Sequence, residues 1–150
     1  MQDNVEKPGR EEQSNLSGYF YGAQVSEDVK AHLSRYYAAV DTSGSHEEYA
    51  RSFTEDAVLT LPTGSHVRGR DALRLLHQDL RKGDIERRKH TPSKVFTSGP
   101  DATELVILGT VEYWAKGGQY TKKNMISHFE YRRDSVDGDI EVCALAVWLS

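Results

Sequence analysis

The chain has 150 residues, 37% of them hydrophobic and 28% charged, which fits one globular domain. A net charge of −4 argues against nucleic-acid binding, since neutralising phosphates needs an excess of Lys and Arg. No stretch reaches the ~18–20 apolar residues of a membrane span, and Cys143 is alone, so no internal disulfide can form. The expectation is a cytoplasmic protein with no nucleic-acid or membrane partner.

Residues 1–24 are polar, contain Pro8, Gly9, Gly18 and Gly22, and hold no sustained period. They read as a flexible N-terminal arm whose Tyr19, Phe20 and Tyr21 can dock on the body formed by residues 25–150. Ser26 is placed to cap a first helix, in which Val29, Leu33, Tyr36, Tyr37 and Val40 recur at helical spacing. Ser45-His46-Glu47-Glu48 announces a second helix through a capping box, with Tyr49 and Phe53 one turn apart. Ala57 to Leu61 is a short β-type run closed by Pro62. Gly69 opens a third helix with Leu73, Leu76 and Leu80 on one side and Gly83 as its stop.

Beyond Gly83 the helical spacing ends. Lys94–Thr97, Thr103–Ala115, Tyr120–Arg133 and Ile140–Leu149 read as strands. Gly117-Gly118 predicts a hairpin turn, because both central residues can take positive φ, and Asp137-Gly138 predicts another. Helices followed by an antiparallel meander give an α+β domain, with the helices against one face of the sheet. Strands this long bend and coil, so the sheet should be strongly curved and leave a pocket at its open end.

Three segments, Arg35-Tyr36-Tyr37-Ala38-Ala39-Val40-Asp41, Phe53-Thr54-Glu55-Asp56-Ala57-Val58 and Gly69-Arg70-Asp71-Ala72-Leu73, carry a family pattern. With Leu108-Gly109-Thr110-Val111-Glu112-Tyr113 and the glycine hairpin, the chain resembles the SnoaL-like/NTF2-like superfamily over residues 26–149. The resemblance implies a cone-shaped fold with three N-terminal helices packed in a curved, mostly antiparallel sheet. The superfamily includes polyketide cyclases, ketosteroid isomerase, scytalone dehydratase, epoxide hydrolases and non-catalytic binding modules, so the fold does not name a reaction.

Residue by residue, Tyr36 is similar in position to the oxyanion-donating Tyr of ketosteroid isomerase. That enzyme's general-base Asp is replaced here by Leu61 before Pro62. Asp41 and His90 match an Asp and a His of scytalone dehydratase, whose second catalytic His falls near Gly109 and is missing. Alternation places Leu105, Ile107, Gly109, Val111 and Tyr113 on one strand face, and Met125, Ser127, Phe129 and Tyr131 on one face of the next. These more apolar sets should face the helices; with the opposite parity, His128 and Glu130 would become the pocket pair.

The expected site therefore joins Asp41 and His90 as an acid–base pair with Tyr36, Tyr113 and Ser127 as hydroxyl donors. Tyr37, Phe53, Leu61, Leu76, Val111, Met125 and Phe129 are expected to line the ligand cavity. Asp41 can equally serve as a helix-end cap, and His90 as a strand-start residue bonded to backbone. His32, His46 and His77 are read as exposed helix positions, and no metal-ligand spacing, phosphate loop, nucleophile elbow or dinucleotide fingerprint is present. No cofactor and no metal are expected.

The leading functional expectation is a cofactor-independent lyase or isomerase, of dehydratase or cyclase type, acting on a small apolar oxygenated metabolite. Polyketide- or terpenoid-like intermediates fit that description. One rival is a non-catalytic ligand-binding or dimerisation module, with homodimer formation through the convex sheet face that carries Trp114 and Trp148. Another is epoxide-hydrolase-like chemistry, for which Asp41 and Arg35 are the available groups.

Overall fold

The computed structural model describes residues 24–80, 82–133 and 138–150. The expected N-terminal arm, except Gln24, lies outside the described residues, as does Asp137 of the expected last turn. Helix α1 (Glu27–Asp41) is followed by α2 (His46–Arg51), β1 (Phe53–Thr60), β2 (His66–Arg68) and α3 (Arg70–Asp79). Strands β3 (Ile85–Phe96), β4 (Glu104–Ala115), β5 (Tyr120–Arg133) and β6 (Ile140–Leu149) complete the chain. The fold is α+β, a curved six-stranded mixed sheet in the order β2-β1-β6-β5-β4-β3, with only β1–β6 parallel.

The apolar stripe of α1 buries Val29, Leu33, Tyr36, Tyr37 and Val40 against the concave side of the sheet. Alternation along β4 and β5 is obeyed as the sequence predicts. Leu105, Ile107 and Val111 on β4, and Met125, Ser127, Phe129 and Tyr131 on β5, are buried, while His128 and Glu130 face away from the core. Bulges bend the sheet within β3 and between β5 and β6.

Several local expectations are corrected. Ser45 does not form the capping box: its hydroxyl donates to the carbonyls of Ala39 and Thr42, at 2.6 and 2.7 Å, and so ties α2 to the end of α1. The Ser26 hydroxyl likewise turns to Asp28, whose carboxylate accepts the Val29 N–H. Helix α3 closes at Leu80, before Gly83. Strand β1 starts at Phe53 rather than Ala57, and β3 starts at Ile85 rather than Lys94. In the β4–β5 hairpin only Gly118 takes positive φ (88°). Gly118 N–H bonds the Ala115 carbonyl and Ala115 N–H bonds that of Gln119, which makes a three-residue loop in place of the two-residue turn.

The Gly69-Arg70-Asp71 segment is a structural clip. Gly69 sits at φ 88°, and the Arg70 guanidinium donates to the Phe53 carbonyl at 2.7 and 3.1 Å and to Glu141 at 3.0 Å. One side chain thereby joins α3 to β1 and β6.

Candidate functional site

Asp41 ends α1, and His90 lies in the middle of β3, the edge strand. They meet. His90 Nδ1 is 2.6 Å from one Asp41 oxygen, and the His90 main-chain N–H donates to the other oxygen at 2.9 Å. Both side chains are largely shielded, at 15% and 21% exposure. Two contacts from one residue fix the carboxylate in place. An ionised carboxylate has only acceptors, so Nδ1 carries the proton when the ring is neutral and Nε2 keeps its lone pair.

Strand register arranges the neighbours. His90 pairs with Val111 and Arg88 with Tyr113, so these four share the concave face at the hairpin end of the sheet. The Tyr37 ring, one helical turn before Asp41, lies 5.9 Å from the His90 ring. Burial pushes the Tyr113 phenol above its usual range; Arg88 opposes that rise and Asp41 adds to it. A cavity of about 260 Å³ opens here, lined by Asp41, Ser43, His77, Leu80, Ile85 and Arg88 among others. Asp41 is the side chain that joins this cavity to His90.

The other expected site residues fall elsewhere. Tyr36 is packed inside a ring cluster, with centroids 5.1 Å from Tyr37, 5.9 Å from Tyr49, 6.0 Å from Phe53 and 5.4 Å from Phe129. Burial first, then the neighbouring phenols and Asp41, raise its hydroxyl well above the ordinary tyrosine range. Tyr37, expected only to line the ligand, is the tyrosine beside His90. Ser127 is inward and buried, but its rung is Ile107–Ser127–Val147. That is four residues from Val111 along β4, or about 13 Å at the usual strand rise. Phe53, Met125 and Phe129 belong to the packed centre, whereas Leu61 and Leu76 are only partly buried against it. The cup's centre is thus filled by aromatic rings rather than left as an apolar chamber.

Gly109 explains why a second histidine has no place. It faces Pro92 on β3, and a Cβ there would lie 2.4 Å from the Thr91 carbonyl oxygen and 2.9 Å from Pro92 Cα. Arg35 lines a separate groove with His32 and Arg51, so the Asp41–Arg35 pairing of the epoxide-hydrolase expectation is not formed. His32 and His77, read as exposed, are both buried; their Nε2 atoms bond the carbonyls of Ser52 and Ala39, at 2.9 and 3.0 Å. Burial lowers the His32 pKa to about 4.

On the convex face, Glu104, His128 and Glu130 bring three possible ligand atoms within 4.8 Å of one another. The grouping escaped the sequence reading because it depends on β4–β5 register. His128 Nε2 is 3.1 Å from Glu104, an ion pair that accounts for the histidine's position when protonated.

The SnoaL-like domain family matches residues 33–140. The chain belongs to that family. Solved structures agree with the fold of a SnoaL-like domain. A hypothetical protein with a ketosteroid isomerase-like fold from Catenulispora acidiphila DSM 44928, in complex with trimethylamine, is 16% identical with a TM-score of 0.65, covering 78% of this chain and 83% of its own. An NTF2-like protein of unknown function from Burkholderia pseudomallei K96243 is 14% identical with a TM-score of 0.66, covering 83% and 92%. A protein described as a candidate SnoaL-like polyketide cyclase from Jannaschia sp. CCS1 is 13% identical with a TM-score of 0.66, covering 85% and 89%. At such identities the likeness is one of fold. No curated protein matches the SnoaL-like chain by sequence. Among the described residues, no helix is long and apolar enough to cross a membrane.

Proposed function

We propose that this SnoaL-like domain is a cofactor-independent lyase or isomerase of dehydratase or cyclase type, in which His90 moves a proton on a small oxygenated metabolite. The observation that carries the reading is the 2.6 Å contact between His90 Nδ1 and Asp41, reinforced by the His90 main-chain N–H on the same carboxylate. With Nδ1–H held, Nε2 is the base that takes a proton from carbon next to a carbonyl, and the resulting imidazolium returns it one step later. Tyr37 and Tyr113 are the hydroxyls best placed to donate to the oxygen on which charge develops. Tyr36 and Ser127 support the packing from which that corner is built.

The test needs no knowledge of the natural substrate. Enolisable ketones and 1,3-dicarbonyl compounds incubated in D₂O should exchange their acidic C–H faster with the protein than without it. His90→Ala and Asp41→Asn should each slow that exchange by roughly 10²- to 10⁴-fold, the usual weight of a positioned acid–base group. Equal exchange by the wild type and both variants would remove the catalytic reading. The non-catalytic binding module would then stand.

The convex face supports a separate expectation, a homodimer. Trp148, Ile126 and Phe96 stand 52%, 43% and 47% exposed there. Such apolar side chains gathered on one face favour contact with a second copy. Trp148→Glu with Ile126→Lys should shift the protein to monomer in light scattering. A wild type that is already monomeric at high concentration would exclude the dimer.

A further inference from the structure

On the convex face, strand register builds a group that takes no part in the Asp41–His90 corner. Glu104 on β4 stands directly opposite Glu130 on β5, and His128 precedes Glu130 by two residues on the same face. Like charges facing each other across strands are destabilising unless something neutralises them. Among the described residues the Glu130 carboxylate joins no ion pair, and Arg132, the next cation along that face, bonds Asp56 at 2.7 Å. Each of the three side chains offers one ligand atom, and these atoms lie within 4.8 Å of one another. Atoms so placed share a central point at most about 2.8 Å from each, against ~2.0–2.2 Å for zinc–imidazole and zinc–carboxylate bonds. Small rotations of the exposed Glu104 side chain close that gap. The His128 Nε2 and Glu104 oxygen are already 3.1 Å apart, close to the ~3.3 Å between two ligands on one tetrahedral zinc.

We propose that Glu104, His128 and Glu130 form a zinc-binding site on the convex face of the sheet. The site is separate from the proposed reaction and does not depend on it. A neutral imidazole with its proton on Nδ1 turns the Nε2 lone pair toward the carboxylates, which supply two anionic oxygens. One nitrogen and two carboxylate oxygens suit a borderline ion such as zinc better than calcium or magnesium, which prefer shells made wholly of oxygen. Three protein ligands leave one tetrahedral position for water. The neighbours of Glu130 and His128 on β6 are Ala144 and Ala146, whose small side chains leave room for it. Bound there, the ion neutralises the facing carboxylates and ties β4 to β5 on the side away from the core.

Calorimetric titration of the full chain, first stripped with EDTA, with zinc chloride tests this directly. One zinc per chain should bind with a Kd of about 10 μM or below, and the Tm should rise with zinc concentration. Calcium and magnesium should bind at least roughly tenfold more weakly. His128→Ala should weaken zinc binding by at least the roughly 100-fold that loss of a mere supporting residue can cost. Glu130→Gln should weaken it too, without lowering the Tm of the zinc-free protein, because it removes one of two facing charges. These side chains point away from the core, so the variants should fold, which circular dichroism checks. His66→Ala removes an exposed histidine on β2 and should leave zinc binding as in the wild type. No zinc bound at about 1 mM, an unchanged affinity in His128→Ala or Glu130→Gln, or an equal loss in His66→Ala and His128→Ala would each overturn the proposal.

Discussion

The concave face of the sheet has two ends built on opposite principles. Around Tyr36, Phe53 and Phe129, side chains from α1, β1 and β5 interlock until no exposure remains on either phenylalanine. At the hairpin end, Asp41 and Arg88 border open space, with His90 bonded to Asp41 and Tyr113 paired with Arg88 beside it. The packed end stabilises the fold by burying apolar area. The open end is the part of this face where polar groups can change partners without disturbing the core. A residue's effect on stability should therefore fall, and its effect on chemistry rise, on moving along β4 and β5 toward the glycine hairpin.

The sharpest way to break this contrast is at its packed end. Phe129→Ala should cost about 3–5 kcal/mol in urea unfolding, because the surrounding rings can only partly collapse into the space. A loss below about 1 kcal/mol would mean that the centre is loosely filled. Next comes a pH effect at His32, at the edge of that core. The folded ring titrates near 4, and the unfolded ring at its ordinary 6.5. The unfolded chain thus takes up the proton first as pH falls. The contribution is fully present above pH 6.5 and is lost as pH falls toward 4, by about 3 kcal/mol in all. His32→Gln should flatten that part of the stability–pH curve.

Gly109→Ala lies where the two ends join. Its Cβ would press on the β3 backbone, so a loss of about 1–3 kcal/mol is expected, read as a lower Tm. The smallest stability effect belongs to the open end. Asp41→Asn should shift unfolding by about 1 kcal/mol or less, against the large loss of proton exchange set out above.

The sequence exposed the two ends unequally. Alternation in β4 and β5 was readable because one face is more apolar than the other, which favoured an inward Tyr113 and Ser127 over the opposite parity with His128 and Glu130. The first half of β3 was not readable. Glu86-Arg87-Arg88-Lys89 contains no apolar residue, and an edge strand at a polar mouth needs none, so the expected strand began only at Lys94. His32 could have been found, since it lies three residues after Val29 and four before Tyr36, on the buried stripe of α1. The Asp41–His90 match came from family resemblance alone; 49 residues separate the pair, and only the fold supplies their distance. Tyr36 and Tyr37 could not be ranked from spacing, because adjacent helix positions both border the same wide apolar face. The glycine hairpin was misread by one residue, since either glycine can take positive φ and the strand register decides which does.

The central claim is that Asp41 holds the Nδ1 proton of His90 and leaves Nε2 bare. Long-range ¹H–¹⁵N correlation spectra of the histidine rings, recorded near pH 8 where an ordinary imidazole is neutral, read this directly. A protonated Nδ1 with a pyridine-like Nε2 on His90, reverting to the usual tautomer mixture in Asp41→Ala, is the predicted result. A His90 ring protonated at Nε2 in the wild type, or a spectrum unchanged by Asp41→Ala, would contradict it.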